Sequence, residues 1–301
     1  AAVSVIAVLV TAVIFLIQRF ASNRFKFTIS ALHPIAPKEA TGLKGILMHL
    51  YCYLLVGVAL LPQIYIVNMS FRNYRNAVLQ PGYSLVNYQK ALEKMLVRSI
   101  GNTLVVSVSA LVIILVIAIL IAYLVVRRSN VLTNTIDTVS MLPYIMPGSV
   151  IGIALVVAFS RKPLVLTGGL LIMTIALAIR RMPFTSRSAT ASMMKIPISR
   201  EEAALSLGAP KLEAFVKITV PMMSSGIISG AVLSFVSIIT EMSSGVILYN
   251  NSTITLTIGT YSSITTGIYG VAAVFATVTM LVTVICLALY LKFTRLEDVR
   301  M

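Results

Sequence analysis

The side chains equipped for chemistry are few: nine acids, two histidines and two cysteines in 301 residues. Cys52 and Cys286 each lie inside an apolar run, so neither a disulfide framework nor a two-cysteine metal site is expected. No Asp pair, Ser/His set or metal cluster falls within the apolar runs, which sets intramembrane hydrolysis aside. The phosphate-cradling pattern G-x-x-x-x-G-K-S/T is absent, so nucleotide is expected to bind elsewhere. What remains is Glu241, an acid in an apolar run beside Ser243 and Ser244. An ionisable side chain there marks a solute path or gate by default. Its alternative role is interfacial, because the run ends soon afterwards at Asn250-Asn251. Tyr144, between Pro143 and Pro147, is a further path candidate, since prolines loosen a helix and broken helices border transport pathways.

The elements that must position these residues follow from composition. With 58% hydrophobic and 11% charged residues, the chain is too apolar to cover a water-facing surface. Seven apolar runs are read as spans: Val3–Ile17, Ile46–Val67, Thr103–Val126, Val139–Phe159, Gly168–Ile179, Ser224–Ile247 and Tyr269–Leu291. The pattern of a membrane β-barrel is missing, so backbone satisfaction in lipid requires an all-α transmembrane bundle. The formal charge of +15 is not a nucleic-acid signature, because Lys and Arg fall mostly between the apolar runs. Segments 18–44, 127–135, 180–223 and 292–301 hold 17 of the 24 basic residues and are assigned to the cytoplasm. Segment 68–102, with Arg72, Arg75, Lys90, Lys94 and Arg98, is the exception on the outer side. Arg180-Arg181 is read as a pair anchoring a span end.

The longest cytoplasmic segment is organised. Ser199 and Glu202 have capping-box spacing for a helix beginning near Arg200. Gly208 is suited to close that helix in the left-handed conformation, and Pro210 to open a second one, Lys211–Thr219. Leu212, Phe215, Val216 and Thr219 would share one face of the second helix, and Pro221 ends the unit. A knob of this kind suits a groove on a partner.

Glu202-Ala203-Ala204, three residues, Gly208, nine residues, then Ile218-Thr219-Val220-Pro221 resembles the E-A-A-x3-G-x9-I-x-L-P signature of ABC importer permeases. One position departs, Val220 in place of Leu. Ser84-Leu85-Val86-Asn87-Tyr88 followed by Ser99-Ile100-Gly101-Asn102-Thr103 resembles the entry to the same family's core. The resemblance implies a type I importer permease fold with about six or seven membrane helices in residues 45–301. The coupling helix would lie at about 199–221 and dock on an ATPase through Glu202, Ala203, Ala204, Gly208, Ile218 and Pro221. Residues 1–44 resemble the end of a preceding span plus a basic linker, as in fused two-half permeases. The implied partners are two ATPase subunits carrying ATP and Mg, a second permease half or fused first half, an extracytoplasmic solute-binding protein and membrane lipid. The location implied is the bacterial inner membrane. The stretch from Glu241-Met242-Ser243-Ser244 to Thr255-Leu256-Thr257 resembles permeases for ferric iron and related oxyanion or phosphonate solutes. Ferric iron is the first expectation for the solute; phosphonate, sugar-phosphate, thiamine and polyamine are the alternatives. An ion-gradient-driven transporter is the alternative class, disfavoured because Glu241 and Asp137 are too few acids for it.

Overall fold

A computed structural model describes residues 41–298 except Asn76, together with Val13 and Ile17. Apart from Val13 and Ile17, the span expected at Val3–Ile17 and most of the linker up to residue 44 lie outside the described residues. Twelve helices and one hairpin follow: α1 Gly42–Phe71, β1 Arg72–Arg75, β2 Val78–Tyr83, α2 Val86–Glu93, α3 Leu96–Arg127, α4 Val131–Ile145 and α5 Gly148–Phe159. They continue with α6 Leu170–Met194, α7 Ser199–Ser206, α8 Lys211–Met222, α9 Ser224–Ile239, α10 Gly245–Leu248, α11 Leu256–Thr265 and α12 Tyr269–Asp298. The all-α bundle is as expected. The hairpin is antiparallel, pairs Arg75 with Val78, and touches α12 through β1.

Three helices, α1, α3 and α12, are each long and apolar enough to cross a membrane. The other expected spans are shaped differently. Val139–Phe159 is not one helix: α4 and α5 meet at 108° across Met146-Pro147, where a proline cannot continue the helix. The run beginning at Gly168 does not stop at Ile179, since α6 carries the chain on to Met194 with Arg180, Arg181 and Pro183 inside it. Ser224–Ile247 stops at Ile239, and Glu241 lies in the turn between α9 and the four-residue α10. Withdrawing Arg180 and Arg181 from the cytoplasmic count lowers it from 17 to 15 against 7. The charge count keeps its direction.

The core forms where α3, α6 and α9 pack together. Val106, Ala110 and Ile114 of α3 interleave with Ile172, Met173 and Ala176 of α6 and Ile238 of α9. Gly226 and Gly230 let α9 come close to α6: a Cβ on Gly230 would lie 2.7 Å from the Thr185 Cα. Hydroxyls tie the same seam, Thr185 to Ser234 at 2.8 Å and Ser188 to the Gly226 carbonyl at 2.7 Å. The family-like entry motif has a structural task here. Asn87 Nδ2 donates to the Ser70 and Arg72 carbonyls at the end of α1. Asn102 Nδ2 donates to the Ser252 and Ile254 carbonyls, and Thr103 Oγ1 accepts from the Leu256 amide. The loop leading into α11 is thereby fixed to α3.

Candidate functional site

The element expected on the cytoplasmic side begins where Pro197 turns the chain into a helix. Ile198 is already helical, so Ser199 falls inside α7 and no side chain caps the helix. The expected capping box is therefore not formed; Glu201 and Glu202 fall in the first turn, where negative charge suits the helix N-terminus. At the other end Gly208 has φ +90°, its amide bonds the Leu205 carbonyl, and Ala209 bonds the Ala204 carbonyl. This is the Schellman closure expected of a glycine at that position.

The second helix does not end at Thr219. α8 runs to Met222, with a π turn over Phe215–Thr219 immediately before Pro221. The expected apolar face is split: Thr219 is buried, Phe215 half-buried, Val216 within the wider turn points outward, and so does Leu212 before it. Phe215 packs edge-on against Tyr123 of α3 at 4.8 Å.

The bolt that holds this element was not visible in the sequence. Arg127 at the end of α3 donates from Nε to Glu201 Oε1 at 2.9 Å and from Nη2 to the Ile196 carbonyl at 3.0 Å. Thr219 Oγ1 donates to the same carboxylate oxygen at 2.9 Å. Both ionic side chains are nearly covered, at 9% and 13% exposure. Beneath them Ala122, Ala189, Met193, Ile196, Met223 and Ile227 form an apolar cluster joining α3, α6 and α9. Of the residues assigned to docking, Glu202, Ala203, Gly208 and Pro221 are exposed, Ile218 is half-buried, and Ala204 turns inward. Leu207, which carried no expectation, and Leu212, expected on the apolar face of the second helix, are the most exposed apolar side chains of the element, at 90% and 74%.

The second site lies inside the bundle. Glu241 is buried in the turn after α9 and accepts from Arg180 Nη1 and Arg181 Nη2 of α6. Ser243 Oγ donates to Glu241 Oε1 at 2.5 Å, and the Ser244 amide approaches that oxygen at 3.3 Å. Arg180 Nη1 also donates to Ser243 Oγ at 2.8 Å, while Thr257 Oγ1 holds the Glu241 carbonyl at 2.8 Å. The arginine pair is thus no span-end anchor. It stands ten residues into α6, about 15 Å along the axis. Arg180 Nε and Arg181 Nε are buried without an acceptor. A Cβ on Gly148, at the start of α5, would collide with Arg180 Nη1 and Ser243 Oγ. One turn further along α6, Phe184 meets Tyr144 of α4 edge-on at 5.3 Å, and after it Arg187 pairs with Asp137 at 3.2 Å. Glu241, Ser243 and Ser244 are therefore brought together, whereas Tyr144 meets Phe184, one turn along α6 from Arg180. Among the described residues no group of three or more His, Cys, Asp or Glu side chains could hold a metal ion, and both cysteines are free.

Comparison with known proteins places the chain in a family. The family described as "Binding-protein-dependent transport system inner membrane component" matches residues 95–297. The chain is 32% identical over 163 residues to the ferric transport system permease protein FbpB of Actinobacillus pleuropneumoniae, covering 54% of this chain and 24% of that protein. It is 30% identical over 188 residues to the molybdenum transport system permease protein ModB of Haemophilus influenzae, covering 57% and 81%. The chain thus spans about a quarter of the ferric relative it matches. In fold it resembles a bacterial ABC transporter involved in import of alginate, with a TM-score of 0.62, 19% identity, and coverage of 82% of this chain and 95% of that one. The chain belongs to the family of inner membrane components of binding-protein-dependent transport systems.

Proposed function

We propose that this chain is the permease of an ATP-driven importer in the bacterial inner membrane, with its transmembrane domain in residues 45–301. The glycine-cornered element α7–α8 docks on a separate ATPase. The observation that carries this is mechanical: the element presents Glu202, Ala203, Leu207 and Leu212 outward while Arg127 and Glu201 bolt it to a core helix. A push on the outer face therefore reaches α3 and α6 without being lost in a loop. ATP and Mg belong to the partner ATPase, present in two copies. A second permease half, either separate or fused ahead of residue 45, completes the path, and a binding protein delivers the solute. Ferric iron is the first solute to try, supported by the FbpB likeness, followed by molybdate and phosphonate.

The test is purification through a tag after Met301 in mild detergent, with mass spectrometry of what stays bound. An ATPase subunit is expected, and it should be lost from Glu202→Lys, an exposed position whose replacement leaves the fold intact. Recovery of the folded chain alone, with uptake following a proton or sodium gradient and indifferent to ATP, overturns the proposal.

A further inference from the structure

Arg180, Phe184 and Arg187 stand at i, i+4 and i+7 of α6 and so share one face of that helix, with Arg181 beside it. Two acids answer three arginines: Glu241 takes Arg180 and Arg181, and Asp137 takes Arg187. The strip carries one uncompensated positive charge within the bundle. Two of its donors, Arg180 Nε and Arg181 Nε, are buried with no acceptor. A bundle interior that keeps one net positive charge and two N–H groups without acceptors pays a large desolvation cost. Packing alone gives no reason for it, since a single arginine would neutralise Glu241.

We propose that this strip is the station in the translocation path that receives the solute, and that it takes an oxygen-bearing anion. The proposal rests on the permease function proposed above. Planar guanidinium forks match the spacing of oxyanion and carboxylate oxygens, and an anion supplies both the missing charge and the missing acceptors. The glycine at position 148 belongs to the same arrangement: a Cβ there would collide with Arg180 Nη1 and Ser243 Oγ, so only glycine lets the start of α5 pack directly against the strip. Glu241 sets the strength of the station. By holding two guanidiniums it leaves a net charge of one rather than two, which lets the anion enter and also leave. Arg187, about 10 Å further along the helix and half exposed, is the next foothold toward the cytoplasm. A bare trivalent cation meets the same charge sign and is repelled. Iron would therefore pass as an anionic chelate, and molybdate or a phosphonate as itself.

The experiment uses the full chain purified with its ATPase partner in nanodiscs, and three probes: radiolabelled molybdate, ferric citrate and lanthanum(III). Molybdate binding identifies a free oxyanion as the source, and ferric citrate binding an anionic chelate; lanthanum should not bind. Arg180→Gln should weaken anion binding at least tenfold, whereas Glu241→Gln should strengthen it. A merely structural ion pair shifts both variants in the same direction. If Arg180→Gln fails to assemble, Arg187→Gln, at a half-exposed position, replaces it with an expected loss of about threefold. Binding of lanthanum but not the anions, failure of both anions to bind, or equal shifts in the two variants overturns the proposal. Failure of the permease function itself is separately visible, as absence of the ATPase from the purified complex.

Discussion

Replacing Glu201 with Ala tests whether the cytoplasmic element is bolted to the bundle or only follows it in sequence. The carboxylate accepts from Arg127 and from Thr219, and both donors are nearly or fully buried. Losing a charged hydrogen bond costs about 1.5–3 kcal/mol, and stranding the buried Thr219 hydroxyl costs about 1–3 kcal/mol. Arg127 keeps its bond to the Ile196 carbonyl and lies near the helix end, which returns part of that sum. A net opening cost lowered by about 2–3 kcal/mol corresponds to about 30- to 150-fold in the opening equilibrium. Amide hydrogen exchange read by mass spectrometry should accelerate by that factor across residues 199–222 and remain unchanged in the middle of α3. Glu202→Ala, one position along and exposed, is the control and should alter exchange less than about twofold, as surface substitutions usually cost under about 0.5 kcal/mol. Unchanged exchange in Glu201→Ala, or equal acceleration in the control, would refute the bolt.

Gly230→Ala should destabilise the α6–α9 seam by about 1–3 kcal/mol, because the new methyl lies 2.7 Å from the Thr185 Cα and 2.9 Å from the Ser188 Cβ. The measurement is the folded fraction after heating, by size exclusion in detergent; no loss of thermal resistance would show that the seam has slack. Asn102→Ala removes two bonds at 2.9 Å and should free the loop 250–256, raising its amide exchange about five- to tenfold for about 1–1.5 kcal/mol. Exchange confined to α3 instead would mean that Thr103 alone holds the loop.

Local chemistry was legible in the sequence and distant pairing was not. Gly208 could be assigned from one residue because a positive φ after a helix is a backbone demand that few other residues meet. Ser199 misled for an equally local reason: Pro197 starts the helix one residue early, so the serine arrives inside the first turn rather than before it. The arginine pair was assigned to a span end because hydropathy falls at the first charge. α6 continues because the compensating acid lies 61 residues away on another element. Arg127 and Glu201 are separated by 74 residues, and nothing in either neighbourhood names the other. Periodicity put Phe215 and Thr219 on the inner face of α8 but not Leu212, which is exposed, or Val216, which lies in the π turn where the angular step changes.

How these ties are distributed decides which seam can move. α6 and α9 are joined by two glycines in close approach, by the Thr185–Ser234 and Ser188–Gly226 bonds, by Ser234 Oγ on the Arg181 carbonyl, and by the Glu241 cluster at the far end. α4 meets α6 through much less: a half-exposed ion pair, the Tyr144–Phe184 ring contact and Met141 against Arg187. α4 also ends at the 108° break, so its orientation is not passed rigidly into α5. Packed elements tied by several buried bonds shift as a body, and motion concentrates where ties are fewest. With the partner ATPase bound, spin labels at Ile179→Cys and Leu233→Cys, on exposed positions of α6 and α9, should keep their separation when ATP is added. Labels at Val139→Cys and Leu233→Cys, on α4 and α9, should change theirs by several ångströms, with Cys52 and Cys286 replaced by Ser in both cases. A larger change across α6 and α9 than across α4 and α9 would place the hinge within the glycine seam, and the Glu241 cluster would then be a tie that opens in the cycle rather than one that holds throughout.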